Sequence, residues 1–366
     1  MANPSLQIGN SNWAIKEDNL LGYSTAGTRF VPQPITMTRA SAGTRVNSSG
    51  LVETVELLGS EEIVNGDFAT DSNWSKNTGW TISGGTANKD SVDTNYLTQD
   101  FSGNGQFKIT YTISGYVSGD VRLRVGTGFS TIIRTSNGTY TEYITKDSAS
   151  FGFYGVGEFS IDNISVKEST KNNLARVDYD GTASSLLVEP ERTNLITYSE
   201  DFSQWSATAI GTTLSVSTVI SPDGGQNAYK LKADGTNLFA RVDDVLSITS
   251  GDNIFYSVFL KKSDTHNIAT IRINGTNIGS SANNSTYEFD FSTETISRRT
   301  GGTAISTLVQ NVGNGWYRVG IELSNSTITS ASIYPSFNDA NGGEVLIWGA
   351  QLEEGSYATS YIPTDG

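Results

Sequence analysis

The chain of 366 residues has no cysteine and a single histidine, His266. The absence of cysteine excludes disulfides, zinc–thiolate sites and cysteine nucleophiles. The sequence contains no G-x-S-x-G elbow, no phosphate-binding glycine loop and no H-E-x-x-H motif. A Ser-His-Asp arrangement would have to use His266, which lies in a polar, turn-like segment. We therefore predict that the protein does not belong to these enzyme classes.

Basic residues are also scarce, with 24 Lys and Arg against 38 Asp and Glu, for a net charge of −14. Nucleic-acid backbones and anionic membranes attract clustered Lys and Arg, and the sequence has no such cluster. No apolar run is long enough to span a bilayer, and the N-terminal residues lack the pattern of a secretion signal. We expect no nucleic-acid partner, no membrane insertion and no general secretory export, which fits a protein assembled into a particle released by lysis.

The sequence is instead rich in residues of strands and turns. It has 38 glycines, and only 17% of its residues are charged. Apolar and polar residues alternate along residues 107–113, 121–125, 287–291 and 316–321, the last with Arg318 and Gly320 opposite the apolar positions. Period-2 alternation is typical of half-buried antiparallel strands. Because no long window has a 3.6-residue period, we predict an all-β fold.

Two stretches of the chain begin and end alike. In the first, Asp67-Phe68 is followed by Trp74, and the stretch ends in an alternating strand at residues 159–168. In the second, Asp201-Phe202 is followed by Trp205, and the stretch ends similarly at residues 345–354. Such an internal repeat indicates two similar modules, which we interpret as two β-sandwiches.

A set of ordered motifs resembles a module of tailed-bacteriophage structural proteins such as tail and head fibres. These motifs are T-R-A-S-A-G-T-R-V, L-L-V-E-P-E-R-T-N-L, Y-S-E-D-F-S, N-G-W-Y-R and I-W-G-A-Q-L-E-E-G. The resemblance covers residues 35–56 and 171–364 and implies a virion appendage, with other virion proteins as partners. It also implies a homo-oligomer, with a trimer favoured.

In that group the segments that correspond to residues 35–56 and to the region from residue 171 onward usually lie close together in sequence. Here about residues 57–170 separate them. Residues 61–168 are similar to jelly-roll carbohydrate-binding modules, which often open with N-G-D-F. A sandwich whose ends lie close together can be inserted into a surface loop. We predict a β-rich base (residues 1–56 and 171–192), an inserted jelly roll (57–170) and a C-terminal jelly roll (193–366). Residues 1–34 match no known pattern and are suggested as an anchor or oligomer contact.

Glycan binding would use aromatic rings set among polar residues. Trp74, Trp205, Trp316 and Trp348 lie in apolar surroundings, and we interpret them as core residues. Aromatic residues in polar or glycine-rich segments are better candidates for binding carbohydrate, although each can also pack beneath a loop. These candidates are Trp80, Tyr96, Phe129, Tyr140 and Phe239.

The likeness to carbohydrate-binding modules also implies a structural calcium ion. By position, its ligands would be Asp67 and Asp162, since Ca²⁺ prefers carboxylate and carbonyl oxygens. Ala69 stands where these modules often have a glutamate. The alternative reading of Asp67 and Asp201 is a turn carboxylate that accepts backbone N–H bonds.

Paired carboxylates are the remaining route to catalysis, because glycoside hydrolysis needs two well-placed acids. Three adjacent pairs occur, Glu61-Glu62, Glu200-Asp201 and Glu353-Glu354. Adjacent residues of a strand point to opposite faces, so none of these pairs can act together.

We therefore expect a non-enzymatic virion surface protein, a fibre or a capsid or tail decoration, that attaches to host or environmental glycans. Many copies would compensate for weak single sites. One alternative is a purely structural cement protein that binds only other virion proteins. The second alternative is a capsule polysaccharide depolymerase.

Overall fold

The computed structural model describes the backbone over most of the chain. The described residues are 5–6, 13–16, 19–23, 30–36, 42–125, 128–130, 132–147, 150–180, 183–205, 207–249, 251–263, 265–278, 282–324, 327–338 and 343–364. Side chains are described from residue 42 onward, except at residues 91, 125, 128–129, 180 and 207–209. Within these ranges the fold is all-β, as predicted, with one short 3₁₀-helix and no α-helix.

The base opens with six short strands: β1 (Ser5–Leu6), β2 (Trp13–Lys16), β3 (Asn19–Tyr23), β4 (Phe30–Thr36), β5 (Thr44–Val46) and β6 (Val52–Thr54). Strands β2, β3 and β4 form one sheet, and β5 pairs with β6. The prediction that residues 1–34 form an anchor or an oligomer contact stays untested, because it depends on side chains that lie outside the described residues.

The next eight strands belong to the inserted region: β7 (Leu57–Glu61), β8 (Ser75–Lys76), β9 (Trp80–Ser83), β10 (Thr86–Thr98), β11 (Gly105–Val125), β12 (Gly128–Phe129), β13 (Gly138–Lys146) and β14 (Phe151–Thr170). They form one eight-stranded sheet in which β14 pairs along most of β11. Register shifts between Ser114 and Ser118 and between Ser91 and Asn95 bend these strands. Such irregularities curve a sheet.

The curved sheet encloses a core of its own. The predicted inward positions Phe107, Ile109, Tyr111 and Ile113 are buried. Tyr111, from the first half of β11, meets the ring of Phe153 on the second half of the sheet, with centroids 5.0 Å apart. The two halves of the sheet therefore face each other across one apolar cluster.

The base then resumes with β15 (Arg176–Asp180) and β16 (Ala183–Leu187), which form a sheet with β1. Backbone N–H of Val46, on β5, donates to Asp178 Oδ1 on β15 at 2.6 Å. The segments before and after the inserted region are thus joined directly.

The C-terminal region contains the 3₁₀-helix η1 (Phe202–Gln204) and twelve strands: β17 (Ala207–Ile210), β18 (Thr212–Val216), β19 (Tyr229–Ala233), β20 (Arg241–Thr249), β21 (Ile254–Lys262), β22 (Ile268–Ile278), β23 (Ala282–Asp290), β24 (Thr295–Gly301), β25 (Ser306–Gly313), β26 (Trp316–Leu323), β27 (Thr327–Tyr334) and β28 (Glu344–Glu354).

These strands form two six-stranded sheets. The front sheet has the order β17-β20-β27-β22-β23-β24, and the back sheet has the order β18-β19-β28-β21-β26-β25. Within them, the orders β20-β27-β22-β23 and β19-β28-β21-β26 give the eight strands and the sheet-to-sheet crossings of a jelly roll. The predicted jelly-roll sandwich is therefore present in this region.

The expectation that residues 316–321 form a half-buried strand is wrong. Arg318 and Gly320 are buried, although they lie opposite the apolar positions of β26. The reason is that Val52 of the base and Tyr361 of the C-terminal tail cover the outer face of the back sheet, against Phe259, Trp316 and Trp348. A sheet covered on both faces loses the alternation of burial that marks a sheet with one solvated face.

The repeated sequence corner is a repeated structural corner. The rings of Phe68 and Trp74 lie 5.4 Å apart, and those of Phe202 and Trp205 lie 4.9 Å apart. In both corners the indole N–H donates to a backbone carbonyl, that of Asn65 at 3.0 Å and that of Tyr198 at 2.9 Å. The interpretation of the four tryptophans as core residues is confirmed, because all four are buried.

The ends of the inserted region lie side by side. Leu57 and Thr170 are register partners on β7 and β14. Tyr143 of the same region holds both connections: its hydroxyl lies 3.2 Å from both carboxylate oxygens of Glu56, and the ammonium of Lys171 lies 3.3 Å from its ring centroid. The nested organisation and its boundaries stay a prediction, which requires the two ends of residues 57–170 to lie close together as they do here.

Candidate functional site

The aromatic residues predicted to bind glycans lie in different environments. Trp80 is 5% exposed, its indole N–H donates to the Asn95 carbonyl at 3.2 Å, and its ring meets Phe159 edge-on at 5.7 Å. It is a core residue of the inserted region, so its ring has no open face for a sugar.

Tyr96 lies on the outer face of the curved sheet. Its register partner on β14 is Tyr154, whose own partner on β11 is Arg122. Direct cross-strand partners share one face of a sheet, so these three side chains form a row across three strands. All three are partly exposed.

Arg124, two residues beyond Arg122, completes this surface. Its guanidinium lies 4.8 Å from the ring centroid of Tyr96, and that of Arg122 lies 6.0 Å from the ring of Tyr154. The two tyrosine rings are 5.8 Å apart and inclined at 59°. Cations over aromatic rings attract them electrostatically and hold both groups in place. We call Tyr96, Tyr154, Arg122 and Arg124 the tyrosine–arginine face.

The local sequence of β14 explains why this face exists. Phe151 and Phe153 are fully buried in the core, so the alternation of the strand turns Tyr154 outward. Gly152, between them, is the register partner of both Thr98 and Arg124. A Cβ atom at Gly152 would lie 2.2 Å from the Leu97 carbonyl oxygen, so only glycine fits. Gly152 thereby lets β10 approach β14 closely beside the tyrosines.

The charge of the face is locally positive within an acidic protein. Arg122 Nη2 lies 3.2 Å from Asp120 Oδ2, with side chains 33% and 39% exposed, and exposed pairs of this kind contribute little stability. The buried Nε–H of Arg122 has no hydrogen-bond partner within the described residues. Among those residues no carboxylate forms an ion pair with Arg124, whose guanidinium lies over the ring of Tyr96.

Two further predicted residues lie elsewhere on the inserted region. Phe129 is the register partner of Arg124 on β12, but its side chain lies outside the described residues. Tyr140 packs 5.7 Å from the core ring of Tyr111, its hydroxyl interacts with Ser136 at 2.8–2.9 Å, and Arg134 lies 4.5 Å from its ring. Tyr140 therefore belongs to the edge of β13, away from the row of Tyr96.

Phe239 lies on the C-terminal sandwich and forms a separate apolar surface. Phe239 and Leu238 are 42% and 45% exposed, and the ring of Phe239 meets Phe337 at 5.2 Å. Behind them, Arg241 stacks 5.8 Å from the ring of the buried Tyr334. We call Leu238, Phe239 and Phe337 the apolar patch.

The proposed calcium ligands do not form a cation cage with the residues described. Asp67 accepts from the Ala69 N–H at 3.3 Å, and Asp162 accepts from the backbone and side chain of Asn163 at 2.6 and 3.1 Å. No group of three acidic, histidine or cysteine side chains comes together in the described parts of the chain. Ca²⁺ needs six to eight oxygen ligands, and two carboxylates engaged in turns do not fit it.

The two carboxylates lie in different environments in the pair Glu353-Glu354, which is on β28, and in the pair Glu200-Asp201, which precedes η1 and is not on a strand. Glu353 is fully buried and Glu354 is exposed. Glu200 accepts hydrogen bonds from Asn227 and Tyr361, whereas Asp201 accepts from Ser203 and Tyr229. Each of these four carboxylates thus has a different environment from its neighbour.

A cavity of about 210 Å³ lies between the base and the back sheet. Its polar side chains largely form hydrogen bonds with the surrounding protein. Arg318 donates to Ser257 Oγ and to the Thr359 carbonyl, and Asp178 accepts from the Val46 N–H. Burial raises the pKa of Asp178 despite this hydrogen bond. Sites for small ligands usually have about 300–1,000 Å³. We interpret this space as part of the junction between base and sandwich.

Sequence reasoning identified Tyr96 but missed Tyr154, Arg122 and Arg124. Arg122 and Arg124 were recognised as the polar positions of an alternating strand, without a ligand role. Pairing the strand 151–155 with the strand 121–125 would have placed these side chains in one row, because each alternates with buried residues. The pairing itself is not encoded by any local pattern.

The sequence matches no protein-family model and no curated protein. Among solved structures, the chain is similar to the tandem CBM22 domains of Xyn10C from Paenibacillus barcinonensis, with 10% identity, coverage of 87% of this chain and 100% of that chain, and a TM-score of 0.29. It is also similar to the tandem CBM51 modules of a family 98 glycoside hydrolase from Streptococcus pneumoniae, with 10% identity, coverage of 87% and 97%, and a TM-score of 0.19. Superpositions this loose carry no argument, so fold and function rest on the residues of this chain.

The described residues contain no helix with the length and hydrophobicity needed to cross a membrane.

Proposed function

We propose that the protein is a bacteriophage virion surface protein, a fibre or decoration, that attaches to glycans through the tyrosine–arginine face. The observation that carries the binding part is this face itself. It places two tyrosine rings and two guanidinium groups side by side, partly exposed, on one surface of a rigid sheet. Rings can stack on the C–H faces of a pyranose while guanidinium N–H groups donate to its oxygens.

The virion part of the proposal rests on the ordered sequence motifs that resemble phage appendage proteins. Single sites of this size bind weakly, and assembly of many copies on a particle gives strong attachment by avidity. We further propose a homo-oligomer, with three copies favoured by the resemblance. The proposed role involves no bond-breaking step.

A glycan array probed with the purified protein, displayed at high valency, tests attachment. We expect retention on a subset of glycans and loss of retention in the double variant Tyr96→Ala/Tyr154→Ala. The matched control is Tyr357→Ala, which removes a partly exposed tyrosine ring that also has an arginine, Arg192, 5.0 Å from its centroid, and which should leave retention unchanged. Absence of retention on every glycan would refute attachment, and release of reducing sugar would instead indicate a depolymerase.

The apolar patch favours a second role, docking to other virion proteins. Leu238 and Phe239 expose adjoining apolar side chains, as surfaces buried in protein contacts do. In phage particles assembled with Leu238→Ser/Phe239→Ser, we expect less of this protein per particle, with glycan retention of the isolated protein unchanged. Immunogold labelling of intact particles locates the protein and tests the virion assignment. Normal incorporation of the variant would exclude the patch as a docking surface.

A further inference from the structure

We propose that the tyrosine–arginine face selects anionic saccharides, with a carboxylated sugar such as a uronic acid as the preferred ligand. This inference rests on the glycan attachment proposed above and specifies its ligand class. The geometry points to it because two arginines stand beside the two tyrosine rings, so the charged groups of the tyrosine–arginine face itself are both cationic.

The guanidinium groups retain the donors that an anion needs. Their central carbons lie over tyrosine rings, at 4.8 Å for Arg124 and 6.0 Å for Arg122, and a cation–π contact leaves the N–H groups able to donate to an oxygen. The guanidinium of Arg124 lies over the ring of Tyr96, and no carboxylate of the described residues forms an ion pair with its fork of N–H donors. A sugar carboxylate can accept two parallel N–H bonds from such a fork.

Arg122 adds a second, incompletely satisfied donor group. Its one ion pair is with Asp120, and its buried Nε–H lacks a partner within the described residues. An unpaired buried donor is unfavourable, so a ligand oxygen that draws the guanidinium toward it relieves that cost. The tyrosine rings beside the two arginines then provide the apolar surface for the sugar ring.

The net charge of the protein sharpens this inference. With a charge of −14, the protein as a whole repels polyanions. Retention on an acidic polysaccharide must therefore come from a local cationic site, because non-specific attraction has the wrong sign.

The test compares one polysaccharide in two charge states. Polygalacturonate and its methyl ester differ in the charge of the carboxyl group, and the full chain is measured for retention on both. We expect roughly tenfold stronger retention on the free acid, since a charge-assisted bidentate contact contributes about one such factor or more. Retention should weaken as salt concentration rises, because exposed charges are screened.

Substitutions of single arginines test whether retention on polygalacturonate depends on Arg124. We expect Arg124→Gln to lower retention on polygalacturonate about tenfold and Arg124→Lys to give an intermediate loss, because lysine keeps the charge but not the fork. The matched control is Arg298→Gln, which removes an equal charge from an exposed position of β24. Its retention should equal that of the unaltered protein.

A second measurement does not depend on folding of any variant. Free galacturonate should displace the unaltered protein from polygalacturonate, whereas galactose at the same concentration should not. A parallel arm with dextran sulfate and dextran distinguishes carboxylate from sulfate as the recognised anion, and stronger retention on the sulfate would overturn the preference for a carboxylated sugar.

Two results overturn the inference while leaving glycan attachment intact: equal retention on the acid and the ester, or equal losses in Arg124→Gln and Arg298→Gln. Failure to bind any glycan overturns attachment itself, so the two failures are distinguishable.

Discussion

The fully buried carboxylate of Glu353 holds Thr359 with both of its oxygens. Oε1 accepts from the backbone N–H of Thr359 at 2.9 Å, and Oε2 accepts from its hydroxyl at 2.7 Å. Arg318 donates to the carbonyl of the same threonine at 2.6 Å. The segment around Thr359 is thereby fixed against the back sheet, where Tyr361 packs on the outer face.

We expect Thr359→Val to destabilise the C-terminal sandwich by about 1–3 kcal/mol, because a buried carboxylate oxygen loses its hydroxyl donor. Valine has nearly the volume of threonine, so the loss reports the hydrogen bond rather than packing. Urea denaturation followed by tryptophan fluorescence measures the change. The matched control is Thr329→Val at an exposed position of β27, expected within about 0.5 kcal/mol of the unaltered protein. Equal losses of stability in the two variants would show that the hydrogen bond from Thr359 to Glu353 does not stabilise the sandwich.

Trp316 and Trp348 permit a paired measurement. Both are 1% exposed, but the Nε1–H of Trp316 donates to the Ile220 carbonyl at 2.9 Å, whereas that of Trp348 has no partner within the described residues. Replacement by phenylalanine removes the same volume at both positions. We expect Trp316→Phe to cost about 1 kcal/mol more than Trp348→Phe, the net value of one hydrogen bond. Thermal unfolding of both variants gives the difference, and a larger cost at Trp348 would contradict this reasoning.

The Asp201 corner predicts a pH-dependent contribution to stability. Burial opposes ionisation of this carboxyl, but hydrogen bonds from Ser203 and Tyr229 outweigh burial and lower the pKa of Asp201 below its ordinary value of 3.8. The folded-state pKa is thus below the unfolded one. The resulting stabilisation is complete above the unfolded pKa and is lost as pH falls through the folded pKa.

Removing one hydrogen-bond donor to Asp201 should reveal the pH dependence of this stabilisation. We expect Tyr229→Phe, which deletes a 2.6 Å hydrogen bond to Asp201, to cost about 1 kcal/mol at neutral pH and less as Asp201 is protonated. Denaturant titrations across the acid range measure the difference. Tyr116→Phe deletes a 2.7 Å bond to the backbone carbonyl of Gly119, so its cost should not vary with pH. A pH-independent cost for Tyr229→Phe would argue against ionised Asp201 as the partner.

Excision tests the nested organisation. Leu57 and Thr170 are cross-strand partners, so a short glycine-containing turn can replace residues 58–169 without separating the flanking segments. We expect the shortened chain to keep the unfolding transition of the C-terminal sandwich, and the isolated residues 57–170 to unfold cooperatively around their own core. Circular dichroism of both chains checks this. Loss of the sandwich transition on excision would mean that the inserted region is needed for its stability.

The motifs that resemble phage appendage proteins have a structural explanation. Asn194 donates to the carbonyls of Ala350 and Ile362 at 3.0 and 2.9 Å and accepts from the Leu352 N–H at 3.0 Å. Glu189 pairs with Arg176 at 2.9 Å and accepts from the Ser360 N–H. These residues join the base, β28 and the C-terminal tail. The residues of these motifs therefore lie at the junction of the base, β28 and the C-terminal tail. The tyrosine–arginine face lies outside this junction.

Local patterns in the sequence determined the strands and much of both cores. Alternation along residues 107–113 identified the buried face of β11, since each strand residue points opposite its neighbours. The repeated Phe and Trp of the two corners likewise indicated equivalent packing, and the corners agree in their indole hydrogen bonds.

Tertiary structure alone decided the burial of Arg318 and the assembly of the tyrosine–arginine face. Arg318 reads as a solvated strand residue until the tail and base cover the back sheet. Along the chain, Arg122 lies 26 positions after Tyr96, and Tyr154 lies 32 positions after Arg122. Strand pairing brings the three residues into one row. Side-chain alternation is a local property that a sequence shows directly, whereas strand pairing depends on long-range contacts that no short segment encodes.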